Sequence, residues 1–158
     1  MYQTTCNVLR LSKEQYKVVD TLSFLSKNMY NYGLYMSRQY YFNNETLLKF
    51  RECREICKDN KNYSQLPNDA AQNTLQVVER SMKSFISLKK KQDRGYYQAK
   101  VNLPHYLPKN GRFALIFPKA HLSCRNGSVL LPTSTAFRKE HNLKRGEFRI
   151  PIPAHINP

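Results

Sequence analysis

The sequence predicts an α+β fold in which a helical segment, residues 12–100, is inserted into a β-rich domain made of residues 1–11 and 101–158. Three observations predict it. Apolar residues recur at steps of three and four through most of the helical segment, as they do on one face of a helix. Beyond residue 112 they alternate with polar residues, as in strands. Between the two patterns, residues 92–111 carry several glycines and prolines and no periodicity, which is typical of a loop.

The first elements are a strand and a long helix. Residues 2–11 contain threonines and valine and few helix formers, so we expect a short strand there. Ser12 followed by Gln15 forms a capping box, which predicts a helix start. The helix is expected to run to about Tyr41 and to end at Asn43-Asn44. Its apolar face consists of Val18, Leu22, Leu25, Met29, Tyr32 and Met36.

Two more helices complete the helical segment. A weaker apolar pattern predicts a second helix from Glu45 to Lys58. A third is predicted from the Leu66-Pro67 entrance into the lysine run 89–91, because proline suits a helix start. Short links between three helices favour a small antiparallel bundle. The apolar face of the third helix is Ala71, Leu75, Val78, Met82 and Phe85.

The β-rich part is expected to hold about four strands. Residues 113–117 are aromatic and aliphatic and predict one strand. Residues 121–131 predict a hairpin, since Asn126-Gly127 favours the positive φ angles of a tight turn. Residues 146–152 predict a further strand, which Pro151 confines to a sheet edge or to an early end.

The charge balance indicates a polyanionic partner. The chain has 26 Lys and Arg against 11 Asp and Glu, a net charge of +15. Between residues 80 and 100 there is one acid, Asp93, and the run includes the aromatic pair Tyr96-Tyr97, which suits a segment that tracks a nucleic-acid backbone. Without a long apolar run or a signal peptide, we expect a cytoplasmic nucleic-acid binder and no membrane partner. The basic residues of the run are Arg80, Lys83, Lys89, Lys90, Lys91, Arg94 and Lys100.

No cofactor or metal is expected in this chain. Cys53 and Cys57 lie four residues apart on a predicted helix and would share a face. However, no C-x-x-C pair is present, and the histidines are scattered singly, unlike the ligand spacing of zinc sites. The cysteines are therefore interpreted as reduced structural thiols.

Four stretches together resemble TnpB, the OrfB-type protein of bacterial insertion sequences. The first is the capping-box entrance, residues 9–15, and the second is Met29-Tyr30-Asn31-Tyr32, where that family has "F-V-Y-N". The third is Leu66-Pro67 through Phe85, similar to "L-P-s-q-v-a-Q-x-x-x-r-x-x-x-A-x-k-x-F". The fourth is the pair of strands at 129–132 and 150–153, similar to "v-x-L-P" and "I-x-I-P". The resemblance covers nearly the whole chain.

The resemblance implies a wedge-type β-barrel interrupted by a helical recognition lobe. TnpB-like proteins are RNA-guided nucleases, so the resemblance implies a structured guide RNA and double-stranded target DNA as partners. Base pairing then reads the long sequence, and the protein reads a short flanking motif. Amide side chains suit adenine and cationic ones suit phosphates. The residues that it implies for motif reading are Gln72, Asn73, Gln76 and Lys83. Those for the nucleic-acid backbone are Arg38, Arg80, Lys89, Lys90, Lys91, Arg94 and Lys100, with Asn31, Tyr96 and Tyr97 as further contacts.

The chain departs from the family in lacking the nuclease part. The family continues into a RuvC-like nuclease with three separated carboxylates and a four-cysteine zinc insertion, whereas this chain ends at Pro158. A two-metal nuclease needs clustered carboxylates, and the four aspartates all lie in the helical segment. We therefore expect no catalytic residues and no enzymatic activity in these 158 residues.

Two alternatives stay open. The chain could be half of a split nuclease, with the C-terminal catalytic part on another chain. It could also be a plain DNA-binding domain of a transposase-like protein. The last alternative is disfavoured because no short recognition helix is evident, and it would recognise its DNA site without RNA.

Overall fold

A computed structural model of the chain describes residues 6–153. Within that range the structure is α+β, as predicted, with long helices followed by a small sheet. The helices are α1 (Lys13–Asn44), α2 (Phe50–Cys57), α3 (Lys61–Gln65), α4 (Asn68–Asp93), a 3-10 turn (Lys119–His121) and α5 (Thr135–His141). The strands are β1 (Ser123–Arg125), β2 (Ser128–Leu130) and β3 (Arg149–Pro151).

Helix α1 begins and ends where the sequence predicts. The Ser12 hydroxyl accepts from the Gln15 amide at 3.2 Å, and the Gln15 side chain accepts from the Ser12 amide at 2.8 Å. The helix ends at Asn44, and Glu45 follows in the left-handed conformation with φ 53°. Of the predicted apolar face, Leu22 and Met29 are fully buried. The other four are half-buried, because the helix packs on more than one side and Tyr30, Gly33 and Leu34 share its buried surface.

Helix α2 is shorter than predicted, and a further short helix follows it. The predicted start at Glu45 is wrong because the left-handed backbone of that residue ends α1, and Lys49 is still extended. The amide of Phe50, the first residue of α2, donates to the Glu79 carboxylate of α4 at 2.7 Å. Helix α3 was not predicted; the Asn60 side chain caps it by accepting from the Asn62 amide. The region between residues 12 and 100 therefore contains four helices, not three.

Helix α4 is the central helix of the fold. Its predicted apolar face is confirmed, since all five side chains are buried. It runs parallel to α1, with Ser26 meeting Thr74 near one end and Tyr41 meeting Phe85 near the other. The two helices approach closely at Gly33, where a Cβ atom would lie 2.5 Å from Cδ2 of Leu75.

An extended segment crosses the paired helices. The prediction of a strand at 113–117 is wrong, since these residues pair with no strand among residues 6–153. Helix side chains bind their backbone instead. Ser26 donates to the carbonyl of Ala114 at 3.0 Å, and Asn73 donates to that of Ile116 at 3.2 Å. Alternating apolar residues thus pack on helices here, where the pattern had suggested pairing in a sheet. We call residues 101–117 the strap.

The sheet is antiparallel with the order β1-β2-β3. The predicted hairpin is confirmed, and its turn residues Asn126 and Gly127 have φ angles of 49° and 66°. The predicted strand near 146–152 is confirmed as β3, which lies at an edge and ends at Pro151. Part of the predicted strand 2–11 lies outside the described residues, and residues 6–11 form no strand. Helix α5 was not predicted.

The core joins helices and sheet. One cluster combines Leu22 and Leu75 of the helices with Leu131, Phe137 and Ile150 from the C-terminal part. A second cluster lies between α1, α4 and the strap. The predicted division into domains and the closure of a barrel stay predictions. No helix within residues 6–153 has the length and apolar character needed to cross a membrane.

Candidate nucleic-acid interface

Helix α4 presents a polar stripe opposite its buried face. The stripe consists of Gln76, Arg80, Lys83, Ser87 and Lys90, which recur at steps of four and three and therefore share one side of the helix. All are exposed except Gln76, which is half-buried. From the first to the last residue the stripe spans about 21 Å of helix, at roughly 1.5 Å per residue. We call these five residues the α4 stripe.

The cations of this region lack acidic partners. Within residues 6–153, no carboxylate lies within 4.0 Å of the charged group of Arg80, Lys83 or Lys90. The same holds for Lys91, Arg94 and Lys100 farther along the chain. Arg80 does make one internal contact, a 3.3 Å hydrogen bond from Nε to the Gln76 carbonyl. Uncompensated positive charge on one side of a helix favours the binding of phosphates.

Lys89 differs from the other predicted backbone contacts. Its ammonium group lies 3.1 Å from the Asp93 carboxylate and 3.3 Å from Oε1 of Gln92. An ammonium group that already faces a carboxylate gains less from a phosphate. We therefore expect Lys89 to contribute less than Lys90 or Lys91 to nucleic-acid affinity.

The C-terminal half of α4 borders a cleft. The cleft has a volume of about 360 Å³. Lys83, which was predicted to read the DNA motif, and Lys90, which was predicted to bind the nucleic-acid backbone, both line it. The opposite wall comes from the segment that follows α1. The cleft is lined by Glu45, Thr46, Leu47, Lys83, Ile86, Ser87 and Lys90.

The two amides predicted to read DNA differ in their contacts. The Gln72 side chain donates from Nε2 to Oδ1 of Asn68 at 2.9 Å. The Asn73 amide nitrogen donates to two backbone carbonyls, those of Asp69 at 2.9 Å and Ile116 at 3.2 Å. Both amide protons of Asn73 are therefore used within the protein. DNA reading by either residue stays a prediction, and the contacts favour Gln72.

Asn31 and Arg38 both face the strap. Asn31 hydrogen-bonds the backbone of Leu107 through both its amide nitrogen and its carbonyl oxygen. The Arg38 guanidinium lies over the ring of Tyr106, 4.8 Å from its centroid. Within residues 6–153 Arg38 has no ion pair or hydrogen bond besides this stacking, so its N–H groups are available to a phosphate.

The tyrosine pair that follows α4 is accessible. Tyr96 is 81% exposed and Tyr97 is 37% exposed, and Gly95 before them has a φ of 77°. Gln92 fixes this loop by donating to the Ala99 carbonyl at 3.0 Å. Exposed tyrosines next to uncompensated cations suit base stacking beside phosphate contacts.

Sequence reasoning missed one polar pair near the start of α4. Nδ1 of His121 lies 2.8 Å from a carboxylate oxygen of Asp69, on the wall of a second cleft of about 620 Å³. The two residues are 52 positions apart, so no local spacing could have shown the pair. It lies one helical turn before Gln72 and offers further hydrogen-bonding groups to a ligand there.

The cysteines do not assemble a metal site in the described part of the chain. Cys53 and Cys57 share a buried face as predicted, with their sulfur atoms 4.0 Å apart. The hydrogen bond with Cys53, together with burial, holds the pKa of the Cys57 thiol above its ordinary value. Cys6 and Cys124 are exposed, and all four thiols are free. Within residues 6–153 no three His, Cys, Asp or Glu side chains lie close enough together to hold a metal ion.

Comparison with protein-family models gave no match, and no curated protein matched the chain significantly. The similarity to TnpB therefore depends on the four sequence stretches themselves.

Proposed function

We propose that this chain is the nucleic-acid recognition module of a TnpB-like, transposon-encoded RNA-guided DNA endonuclease. In this proposal it binds a structured guide RNA and the motif that flanks the double-stranded DNA target. Cleavage would belong to a RuvC-type nuclease part outside these 158 residues. The proposal places the protein in the bacterial cytoplasm, at the nucleoid.

The observation that carries the proposal is the α4 stripe. A net charge of +15 could be spread evenly over a surface, and an even spread would indicate no particular site. Here three cations on one side of a single helix have no carboxylate within 4.0 Å among the described residues. They continue into the exposed loop of Tyr96 and Tyr97. Linear arrays of this kind track a phosphate backbone.

The proposed fold is a wedge-type β-barrel interrupted by a helical recognition lobe. The three-stranded sheet, which shares a core cluster with α1 and accepts a hydrogen bond from Gln15 at the Arg149 carbonyl, is compatible with part of such a barrel. The start of α4, with Gln72 beside the Asp69–His121 pair, is the proposed motif-reading end. The stripe and the tyrosine loop are the proposed backbone-binding end. This division follows the usual separation of base contacts from phosphate contacts.

Filter binding across a salt series tests the proposal. The ligands are a structured transposon-end RNA, a random RNA and a DNA duplex, all of equal length. We expect the structured RNA to bind at least about tenfold more tightly than the duplex, since shape-specific contacts add to counterion release. Equal, steeply salt-dependent binding of all three would contradict specific recognition. Tighter binding of the duplex would support a plain DNA-binding protein.

A matched pair of triple variants locates the interface. The variant R80A/K83A/K90A removes the three stripe cations, and K17A/K139A/K144A removes three exposed lysines elsewhere. We expect the stripe variant to lower the log–log salt slope by roughly 0.7–0.9 per lost phosphate contact. The control variant carries the same net charge and should retain the slope. Equal slopes for the two variants would show that the stripe is not the interface.

A further inference from the structure

The cleft beside the C-terminal half of α4 combines an apolar floor with charged walls. Leu47 and Ile86 are half-buried and extend the second core cluster to the surface. At about 360 Å³ the cleft is within the size range of small-ligand pockets. An apolar floor favours a flat hydrophobic group such as a nucleobase, which a smooth basic surface would not hold.

Two uncompensated lysines flank that floor. Lys83 and Lys90 line the cleft at positions seven residues apart, about 10 Å along the helix axis. The Ser87 hydroxyl lies between them on the same side of α4. Long lysine side chains at positions this far apart on one helix can reach the phosphates on either side of one nucleotide, and the base between them can then enter the cleft.

Among residues 6–153, Glu45 is the one acidic side chain that lines the cleft. Within residues 6–153 its carboxylate takes part in no ion pair or hydrogen bond, although its backbone amide donates to the Tyr41 carbonyl. It also occupies a left-handed position, with φ 53° and ψ 20°, where glycine or asparagine is usual at a helix end. Neither cap geometry nor charge pairing in the described chain accounts for a glutamate at this position.

A carboxylate distinguishes bases by their amino groups. It accepts a hydrogen bond from N4 of cytosine or N6 of adenine, whereas uracil and thymine present a carbonyl oxygen at the same edge. A carbonyl oxygen would face the carboxylate without a proton between them. Glu45 would thus give the cleft a preference for amino-bearing bases, and the lysines would supply the affinity.

The geometry points to this cleft as a pocket for one unpaired nucleotide whose base carries an exocyclic amino group. The base packs on Leu47 and Ile86, the Glu45 carboxylate accepts from its amino group, and Lys83 and Lys90 bind the flanking phosphates. The inference rests on the proposed nucleic-acid binding and adds a base preference to it.

Fluorescence anisotropy with labelled single-stranded RNA decamers tests the pocket at neutral pH. We expect oligocytidine to bind about tenfold more tightly than oligouridine, the size of effect that one good hydrogen bond to a charged group gives. Equal binding of the two decamers would overturn the pocket and leave the proposed function standing. If neither decamer nor the structured RNA binds, both the pocket and the proposed function fail.

Variants of Glu45 separate recognition from stability. Glu45→Gly should abolish the preference for cytidine, and its melting temperature should stay unchanged or rise, since glycine adopts φ 53° freely. Glu45→Asn is the second variant, because asparagine also tolerates this conformation but carries no charge. A cytidine preference that survives in both variants overturns the proposal.

Lysine variants provide the control for affinity. Lys83→Ala together with Lys90→Ala should weaken both decamers alike, since phosphates are common to both. Lys91→Ala removes an exposed lysine of the same helix that does not line the cleft, and it should have a smaller effect. If Lys91→Ala alone lowered the affinity for the decamers as much as the double variant, Lys83 and Lys90 would have no part in the proposed pocket.

Discussion

The Asn31 side chain binds both backbone groups of Leu107. Its Nδ2 donates to the Leu107 carbonyl at 2.9 Å, and its Oδ1 accepts from the Leu107 amide at 2.8 Å. An asparagine on α1 thus pairs with the strap as a neighbouring strand would. The pairing also positions Tyr106, the adjacent residue, under the Arg38 guanidinium.

Replacing Asn31 should destabilise the fold. Asn31→Ala leaves a half-buried amide and carbonyl of the strap without protein partners, so we expect a loss of about 1–3 kcal/mol in the free energy of unfolding. Urea denaturation measures it. Asn28→Ala is the control, because Asn28 makes one long hydrogen bond of 3.3 Å. If Asn31→Ala kept full stability but lost RNA affinity, Asn31 would be a nucleic-acid contact instead.

Gln72 and Asn73 should respond differently to alanine. Asn73→Ala removes the bond from α4 to the strap carbonyl of Ile116, and we expect a loss of about 1 kcal/mol in stability. Gln72→Ala removes a bond within the exposed surface of α4 and should leave stability within about 0.5 kcal/mol. Thermal melts of the two variants make the comparison. In the complete nuclease, Gln72→Ala should erase the flanking-motif preference with guide-RNA affinity nearly intact, and an equal loss of both would contradict a reading role.

Gly33 should not tolerate alanine. A Cβ atom at this position would lie 2.5 Å from Cδ2 of Leu75, which is fully buried. Overpacking of this kind costs roughly 1–3 kcal/mol, of which the better helix propensity of alanine returns up to about 1 kcal/mol. Chemical denaturation should show a net loss. The double variant with Leu75→Val should recover part of it, and a Gly33→Ala variant more stable than the wild type would show that Leu75 moves aside freely.

The Asp20–Arg112 pair should make stability depend on pH. Arg112 donates to both Asp20 oxygens, at 2.7 and 2.8 Å, and these hydrogen bonds lower the pKa of the carboxyl below its ordinary value. The charged carboxylate is therefore favoured in the folded state. The stability that the pair contributes is fully present above the ordinary pKa of an aspartate, and it is lost as the pH falls through the lowered pKa of the folded state.

The variant Asp20→Asn measures that contribution. We expect it to be less stable than the wild type by up to about 1 kcal/mol near neutral pH, because the pair is partly exposed. The difference should shrink below about pH 4. A difference that stays constant across the titration would show that the effect of the substitution is not electrostatic.

A charge on the buried side of α4 should unfold the helical region. Met82 is 1% exposed, so Met82→Asp places a carboxylate without a partner in the second core cluster. The expected cost is several kcal/mol. Lys83→Asp is the matched control, since the adjacent residue is exposed and should change stability little. Circular dichroism melts distinguish the two, and native-like melting of Met82→Asp would contradict the assigned face.

Local sequence signals predicted the elements whose boundaries are determined by their own capping and turn residues. The Ser12–Gln15 capping box determines where α1 begins, and Asn126-Gly127 determines the hairpin turn. The apolar face of α4 followed from its periodicity, because a helix interior of this length repeats the same signal several times. The basic run of residues 80–100 was visible from composition, and the structure places three of its cations in the α4 stripe. What it binds stays a prediction.

Contacts between distant residues decided the rest. Residues 113–117 have the composition of a strand, yet Ser26 and Asn73 supply the hydrogen-bond partners that a neighbouring strand would have offered. The Asp69–His121 pair and the cleft that joins Glu45 to Lys83 likewise combine segments far apart in the chain. The amino-acid sequence by itself determined helix faces, caps, one turn and the charge. Tertiary packing alone decided which groups the extended backbone and the single polar side chains bind. The free energy of such a hydrogen bond depends on which distant residues the fold brings next to it, and the local sequence does not contain that information.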